Sequence, residues 1–63
     1  MDENEIINRV AQKLEPEEFR MWFMRSLPEI RDVVLTVAKV DGIDQAVKDV
    51  KELFLAWLQQ PKL

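Results

Sequence analysis

The side chains that could do chemistry in this sequence are few, and most of them are carboxylates. The 63 residues contain no cysteine and no histidine, and the only aliphatic hydroxyls are those of Ser26 and Thr36. Thiol nucleophiles, serine–histidine relays, structural zinc sites and disulfides are therefore excluded. The single glycine, Gly42, also excludes a glycine-rich phosphate-binding loop. We expect no cofactor, no small-molecule substrate and no enzyme activity.

Two groups of carboxylates could in principle bind a metal ion or perform acid–base catalysis. Glu15, Glu17 and Glu18 cluster at the expected start of a helix, where the positive end of the helix dipole favours acidic residues. Asp41 and Asp44 lack the ligand spacing of a calcium-binding loop. Both groups are explained without a ligand, so the sequence predicts no metal site.

The charge balance bears on nucleic acids and membranes. Twelve acidic and nine basic residues give a net charge of −3, which disfavours attraction to nucleic acid or to an anionic membrane. Residues 19–40 nevertheless have a local excess of cations: Arg20, Arg25, Arg31 and Lys39. An alternative hypothesis is therefore a small nucleic-acid-associated regulator of transcription or replication that uses this basic set.

A helix-turn-helix motif is the DNA-binding element that the sequence most nearly fits. Ala38 and Gly42 have the spacing of its small residue and turn glycine. Lys48 and Lys51, however, occupy positions that the motif needs to be apolar, and Asp44 would open the recognition helix with the wrong charge. We do not expect DNA binding by this motif.

Targeting signals are not evident. Asp2, Glu3 and Glu5 stand where a signal peptide would have a basic region. The longest apolar run covers residues 53–58, far short of the ~18 residues that a membrane-spanning helix needs. We expect a soluble cytoplasmic protein, and the missing cysteines fit a reducing compartment.

Three prolines and one glycine divide the chain into four segments. Pro16, Pro28, Pro61 and the Asp41–Gly42 turn separate stretches whose apolar residues recur with a helical period. We therefore predict an all-α fold, a bundle of four short helices that forms a single domain over residues 1–63. Pro61 is expected to end the last helix.

The third segment has an alternative. Its apolar residues follow a helical period, yet residues 33–37 are rich in β-branched side chains and could form a strand. A single strand has no partner within so short a chain, so we predict a helix there. Trp22 and Trp57 lie in phase with the core-facing residues of their helices, and we expect both in the core. The same holds for Val33, Leu53 and Leu58.

Four apolar residues fall outside these core-facing stripes. Helical phase directs Met21, Met24, Leu35 and Leu55 away from the core. Exposed apolar side chains of this size are typical of an interface, and methionine adapts well to partner surfaces. A chain below about 70 residues without disulfide or metal also needs additional buried area. We therefore predict a protein–protein interaction module (an adaptor, inhibitor or assembly factor), expected to be a homodimer, whose patch is rimmed by Arg20, Arg25 and Arg31.

One stretch resembles a known family. Residues 16–27 are similar to the proline-led helix of the theta subunit of bacterial DNA polymerase III, and the similarity rests on Pro16, Glu17, Arg20, Trp22, Phe23 and Leu27. That family has its additional helix before this pair of helices, whereas here it follows. The same residues also resemble the first helices of the DnaA N-terminal interaction domain, which would require strands that this sequence does not offer. Both resemblances imply small protein-binding modules.

Overall fold

A computed structural model describes residues 2–59 and places three helices there: α1 (Glu3–Lys13), α2 (Glu17–Asp41) and α3 (Ile43–Gln59). The prediction of an all-helical fold is confirmed, and the described part of the chain contains no strand. Residues 33–40 belong to α2, so the strand alternative for that segment is wrong. The predicted helix stop at Pro61 lies outside the described residues.

Local signals in the sequence set the helix boundaries. The Asp2 side chain accepts a hydrogen bond from the Glu5 backbone N–H at 2.8 Å and so caps the start of α1. Pro16 caps the start of α2 without a side-chain hydrogen bond. Gly42 ends α2 with a φ of 98°, a backbone conformation that glycine adopts at little cost, and its N–H donates to the Ala38 carbonyl.

Four separate helices are not confirmed, because the second and third predicted segments form one helix. Pro28 lies inside α2 and does not end it. Proline has no N–H to donate to the carbonyl of Met24, and its ring crowds the preceding turn, so a proline inside a helix bends it.

Pro28 divides α2 into an N-terminal arm (residues 17–27) and a C-terminal arm (residues 29–41), and a bend is expected between them. Phe19, near the start of the N-terminal arm, contacts Phe54 of α3, and their ring centroids are 5.0 Å apart.

The N-terminal arm packs against the second half of α3. Phe19 lies against Lys51 and Phe54, and Trp22 lies against Phe54 and Trp57. The C-terminal arm is joined to the start of α3 through Gly42.

The core lies where α1 and both arms of α2 meet α3. Its most fully buried large side chains are Leu14, Phe23, Val10 and Val50, and no polar or charged side chain is buried in the described part of the chain. Residues from all three helices contribute to one continuous apolar cluster. A cluster of this kind stabilises the fold by removing apolar surface from water.

Exposed ion pairs connect α1 to the other two helices. The Glu3 carboxylate accepts hydrogen bonds from Arg31 at 3.3 Å and Lys39 at 3.1 Å, both on the C-terminal arm of α2. At the other end of α1, Lys13 forms an ion pair with Asp44 in the first turn of α3 at 2.7 Å. The hydrogen bond and positive charge of Lys39, assisted by Arg31, lower the pKa of Glu3 below its ordinary value.

Candidate protein-binding surface

The structure places three of the four predicted outward-facing apolar residues on the surface. Met21 is 60% exposed, Met24 is 52% exposed and Leu55 is 48% exposed. The two methionines lie on the N-terminal arm of α2, one turn apart, and Leu55 lies near the end of α3. Their outward orientation follows from helical phase, as predicted, whereas their role in binding stays a prediction.

The prediction that Leu35 faces outward is wrong. Leu35 is 4% exposed and belongs to the core. Arg31 and Lys39 stand one turn before and one turn after Leu35, and both bind Glu3 of α1. This face of α2 is therefore the one that α1 covers, and Leu35 cannot contact a partner.

Met21 lines a groove between the N-terminal arm of α2 and the end of α3. Its lining residues define what we call the aromatic groove: Glu18, Met21, Trp22, Arg25, Phe54 and Trp57. Met24 and Leu55 lie outside this lining. The structure thus brings Met21 and Arg25 together with aromatic side chains rather than with the other predicted site residues.

A ladder of aromatic rings forms the floor of the aromatic groove. The ring of Trp22 lies 5.3 Å from that of Phe54 and 6.3 Å from that of Trp57. Phe54 and Trp57 are nearly parallel, at an interplanar angle of 16° and a centroid distance of 6.2 Å. Because each ring is held by its neighbours, little side-chain conformational entropy would be lost when a partner binds here.

The predicted basic rim is divided by the fold. Arg20 and Arg25 are exposed, and within residues 2–59 neither forms an ion pair. Arg31 is half-buried and bound to Glu3, on the face that α1 covers. Only Arg25 lines the aromatic groove, where Glu18 supplies the opposite charge.

The expectation that Trp57 lies in the core is wrong, because its side chain is 40% exposed. Trp22 is half-buried, so it contributes to the core and to the groove. The α1 helix spans only about 16 Å and α3 about 25 Å, and α1 pairs with the first turn of α3. The last turns of α3 therefore have no third helix above them. Leu53 and Leu58, also expected in the core, are exposed for the same reason.

A second exposed apolar area was not predicted. Val33, expected in the core, and Val40 are both exposed on the C-terminal arm of α2, and Leu53 is exposed on α3. Val33 and Leu53 line one shallow groove together with Asp49, Glu52 and Ala56. A repeat of valines at positions 33, 37 and 40 is the sequence signal for this second stripe.

Other candidate sites are limited. A polar depression beside α1 is lined by Glu5, Asn8, Arg9, Gln12, Lys13 and Ile43, and it is open to solvent. Within residues 2–59 the structure brings together no group of three or more carboxylates that could hold a metal ion. No helix in this described range has the length and apolar character to cross a membrane.

Comparison with family models, curated proteins and solved structures finds no match. The local resemblance of residues 16–27 to the theta subunit is therefore not accompanied by a family assignment.

Proposed function

We propose that this chain is a small, non-catalytic protein–protein interaction module that self-associates through the aromatic groove. The observation that carries the proposal is the charge pattern of the groove. Glu18 and Arg25 stand at its two ends, and Met21 and Trp22 lie between them. The groove therefore has an apolar centre and opposite charges at either end.

This pattern is self-complementary. Glu18 and Arg25 are seven residues apart, which is two helical turns, so they lie on the same side of α2 about 10 Å from each other. A symmetric dimer has a two-fold axis, and its partners present the same surface to each other in reversed order. When two N-terminal arms pack antiparallel about an axis near Met21, each Glu18 faces Arg25 of the other copy. Both apolar centres are then covered.

The apolar content of this region supports the same conclusion. Met21 and Met24 are more than half exposed, and exposed apolar side chains that lie together are typical of an interface. Contact between two copies would cover both side chains and supply buried area that a domain of this size lacks.

The nucleic-acid alternative draws less support from the structure. Two of its four cations, Arg31 and Lys39, share the Glu3 carboxylate. The remaining two, Arg20 and Arg25, lie on the N-terminal arm, where Glu17 and Glu18 balance their charge. A labelled DNA duplex that shifts in a gel only at low salt, with binding lost in an Arg20→Ala, Arg25→Ala variant, would favour the alternative.

Sedimentation equilibrium tests the self-association. We expect a reversible dimer in the wild type. Arg25→Glu sets two carboxylates against each other at both symmetric contacts and should weaken the dimer about tenfold. Combining it with Glu18→Arg restores the opposite charges and should recover most of the affinity. Arg20→Glu makes the same change of charge on the same helix outside the groove and serves as the matched control.

Three results would contradict the proposal. The first is a wild-type chain that stays monomeric up to millimolar concentration. The second is an Arg20→Glu variant that loses as much affinity as Arg25→Glu. The third is a double variant that fails to recover, because exchange of the two charges preserves every complementary contact of the antiparallel arrangement.

A further inference from the structure

We propose that a second surface binds a cationic amphipathic helix from another protein. This surface is formed by the C-terminal arm of α2 and the neighbouring part of α3. We call it the valine face and define it by its apolar residues, which are Val33, Val37, Val40, Leu53 and Ala56. It lies apart from the aromatic groove and shares no lining residue with it. The inference keeps the protein–protein class of the proposed function but does not depend on self-association.

The apolar part of this face has the spacing of a helix-binding surface. Val33, Val37 and Val40 follow one another at intervals of four and three residues, so they form a stripe about 10 Å long on one side of the arm. Val40 is 75% exposed, and Val33 is more than half exposed. A stripe of this kind accepts a helix that offers side chains at the same intervals.

The valine face contains two shallow depressions. One is lined by Asp32, Val33, Thr36 and Val37 of the C-terminal arm, and the other by Val33 together with Asp49, Glu52, Leu53 and Ala56 of α3. Val33 lies at the edge of both, and we refer to the two depressions together as the groove of the valine face.

The charge of the residues that line this groove indicates the chemistry of the partner. All three ionisable residues that line it are acidic, namely Asp32, Asp49 and Glu52. Within the described residues, none of the three takes part in an ion pair. Lys39, which lies on the same arm, forms an ion pair with Glu3 on the opposite side of the helix and so does not neutralise these acids. A helix with an apolar stripe flanked by lysine or arginine therefore matches both features of the groove.

The same charges argue against other occupants. The N-terminal arm of a second copy has two acids and two arginines and so offers no excess of cations, and the net charge of the chain is −3. Nucleic acid and anionic membranes carry the same sign of charge as Asp32, Asp49 and Glu52, so they would be repelled. A cationic helix from a different protein is the occupant that the valine face favours.

A pair of synthetic peptides tests the inference. Both carry leucines at helical intervals of four and three residues; one has lysines beside the stripe, and the other has glutamates in the same places. Amide chemical shifts of the labelled chain are followed by NMR during titration with each peptide. We expect the lysine peptide to perturb Val33, Val37 and Leu53 and the glutamate peptide to perturb nothing.

Variants of exposed residues separate this surface from the rest of the chain. Val33→Ser should weaken binding about fivefold, and Asp49→Asn with Glu52→Gln should weaken it about tenfold at low salt. Glu15→Gln with Glu17→Gln removes two acids elsewhere and is the matched control. Arg25→Glu, which tests the aromatic groove, should leave peptide binding unchanged, so the two proposals can fail separately.

Several outcomes would overturn the inference. Perturbations centred on Trp22 and Trp57 would place the peptide in the aromatic groove instead. Equal binding of the two peptides would show that charge does not select the partner. The absence of any perturbation by the lysine peptide at millimolar concentration would show that the valine face does not bind such a helix.

Discussion

The rings of Phe19 and Phe54 meet edge to face, with centroids 5.0 Å apart and planes inclined at 73°. This contact joins the first turn of α2 to the C-terminal half of α3. Trp22 and Trp57 belong to the same aromatic cluster, so the contact also supports the rings that line the aromatic groove.

Phe54 is the side chain that the other three rings share. Phe54→Leu removes the edge-to-face and stacked contacts while it keeps an apolar side chain, and we expect it to lower the free energy of unfolding by about 1–3 kcal/mol. Urea titration followed by tryptophan fluorescence measures this loss, because both tryptophans contact Phe54. Leu55→Ala, at the exposed neighbouring position, is the control and should change the free energy by less than about 0.5 kcal/mol. Equal losses would show that the ring contacts add no stability.

Pro28 is expected to favour a bend in α2 before tertiary contacts form. Pro28→Ala restores an N–H that can donate to the Met24 carbonyl, so the isolated helix would prefer to be straight. We expect a straighter α2 to displace Phe19 from Phe54, with a loss of about 1 kcal/mol and a weaker near-UV circular dichroism signal. Far-UV helicity should stay constant or rise. Glu29→Ala, at the next residue of α2, is the control, and a more stable Pro28→Ala variant would contradict the prediction.

The helices themselves could be predicted from the sequence, because local chemistry determines where they begin and end. The Asp2 cap, the helical period of the apolar residues and the Asp41–Gly42 turn all act over a few residues. Pro28 shows the limit of that reasoning. A proline marks a break in the pattern, yet α2 continues through Pro28, which the local pattern alone does not reveal.

The exposed residues of the candidate surface could be predicted only where helical phase alone determines whether a side chain is exposed. Helical phase directs Met21 outward from α2 whatever surrounds it, and the structure agrees. Leu35 has a similar orientation relative to its own stripe, yet α1 covers it through the ion pairs of Glu3. Trp57 lies on the stripe, yet α3 extends beyond its neighbours. The packing of other helices determines which faces are covered, and helical phase along one helix gives no information about that packing.

The contrast between Leu35 and Met21 can be measured. Leu35→Ala leaves a cavity beneath α1, and we expect it to cost about 2–5 kcal/mol of unfolding free energy. Met21→Ala removes an exposed side chain and should change the free energy of the monomer by less than about 0.5 kcal/mol. Thermal unfolding of the two variants at low protein concentration, where a dimer dissociates, makes the comparison. If both variants lost the same stability, Leu35 would not be part of the core.

Gly42 is expected to be required for its backbone conformation and not for space. Its φ is 98°, and a Cβ atom added there would meet nothing within 4 Å. Gly42→Ala should therefore cost about 1–2 kcal/mol through backbone strain alone. A chain synthesised with D-alanine at this position provides the control, since a D-residue prefers positive φ and should be as stable as the wild type. Equal losses for the two alanines would point to a steric cause instead.

Glu3 should make the stability of the α1–α2 contact depend on pH in the acid range. Its pKa is lowered from the ordinary 4.5 by the hydrogen bond and charge of Lys39 and by Arg31. A carboxyl group whose pKa is lower in the folded state binds protons more readily when unfolded, so its contribution is fully present above pH 4.5 and is lost as the pH falls through the folded value. Glu3→Gln should lower the melting temperature slightly at pH 7 and should match the wild type at pH 2. Glu5→Gln, on the same helix without a basic partner, is the control for the change of charge.

Added salt should act on the same contact. Because the side chains of Glu3, Arg31 and Lys39 are at least partly exposed, salt should reduce the difference in melting temperature between Glu3→Gln and wild type at pH 7. A difference that persisted unchanged at pH 2 would show that Glu3 stabilises the contact by something other than its charge.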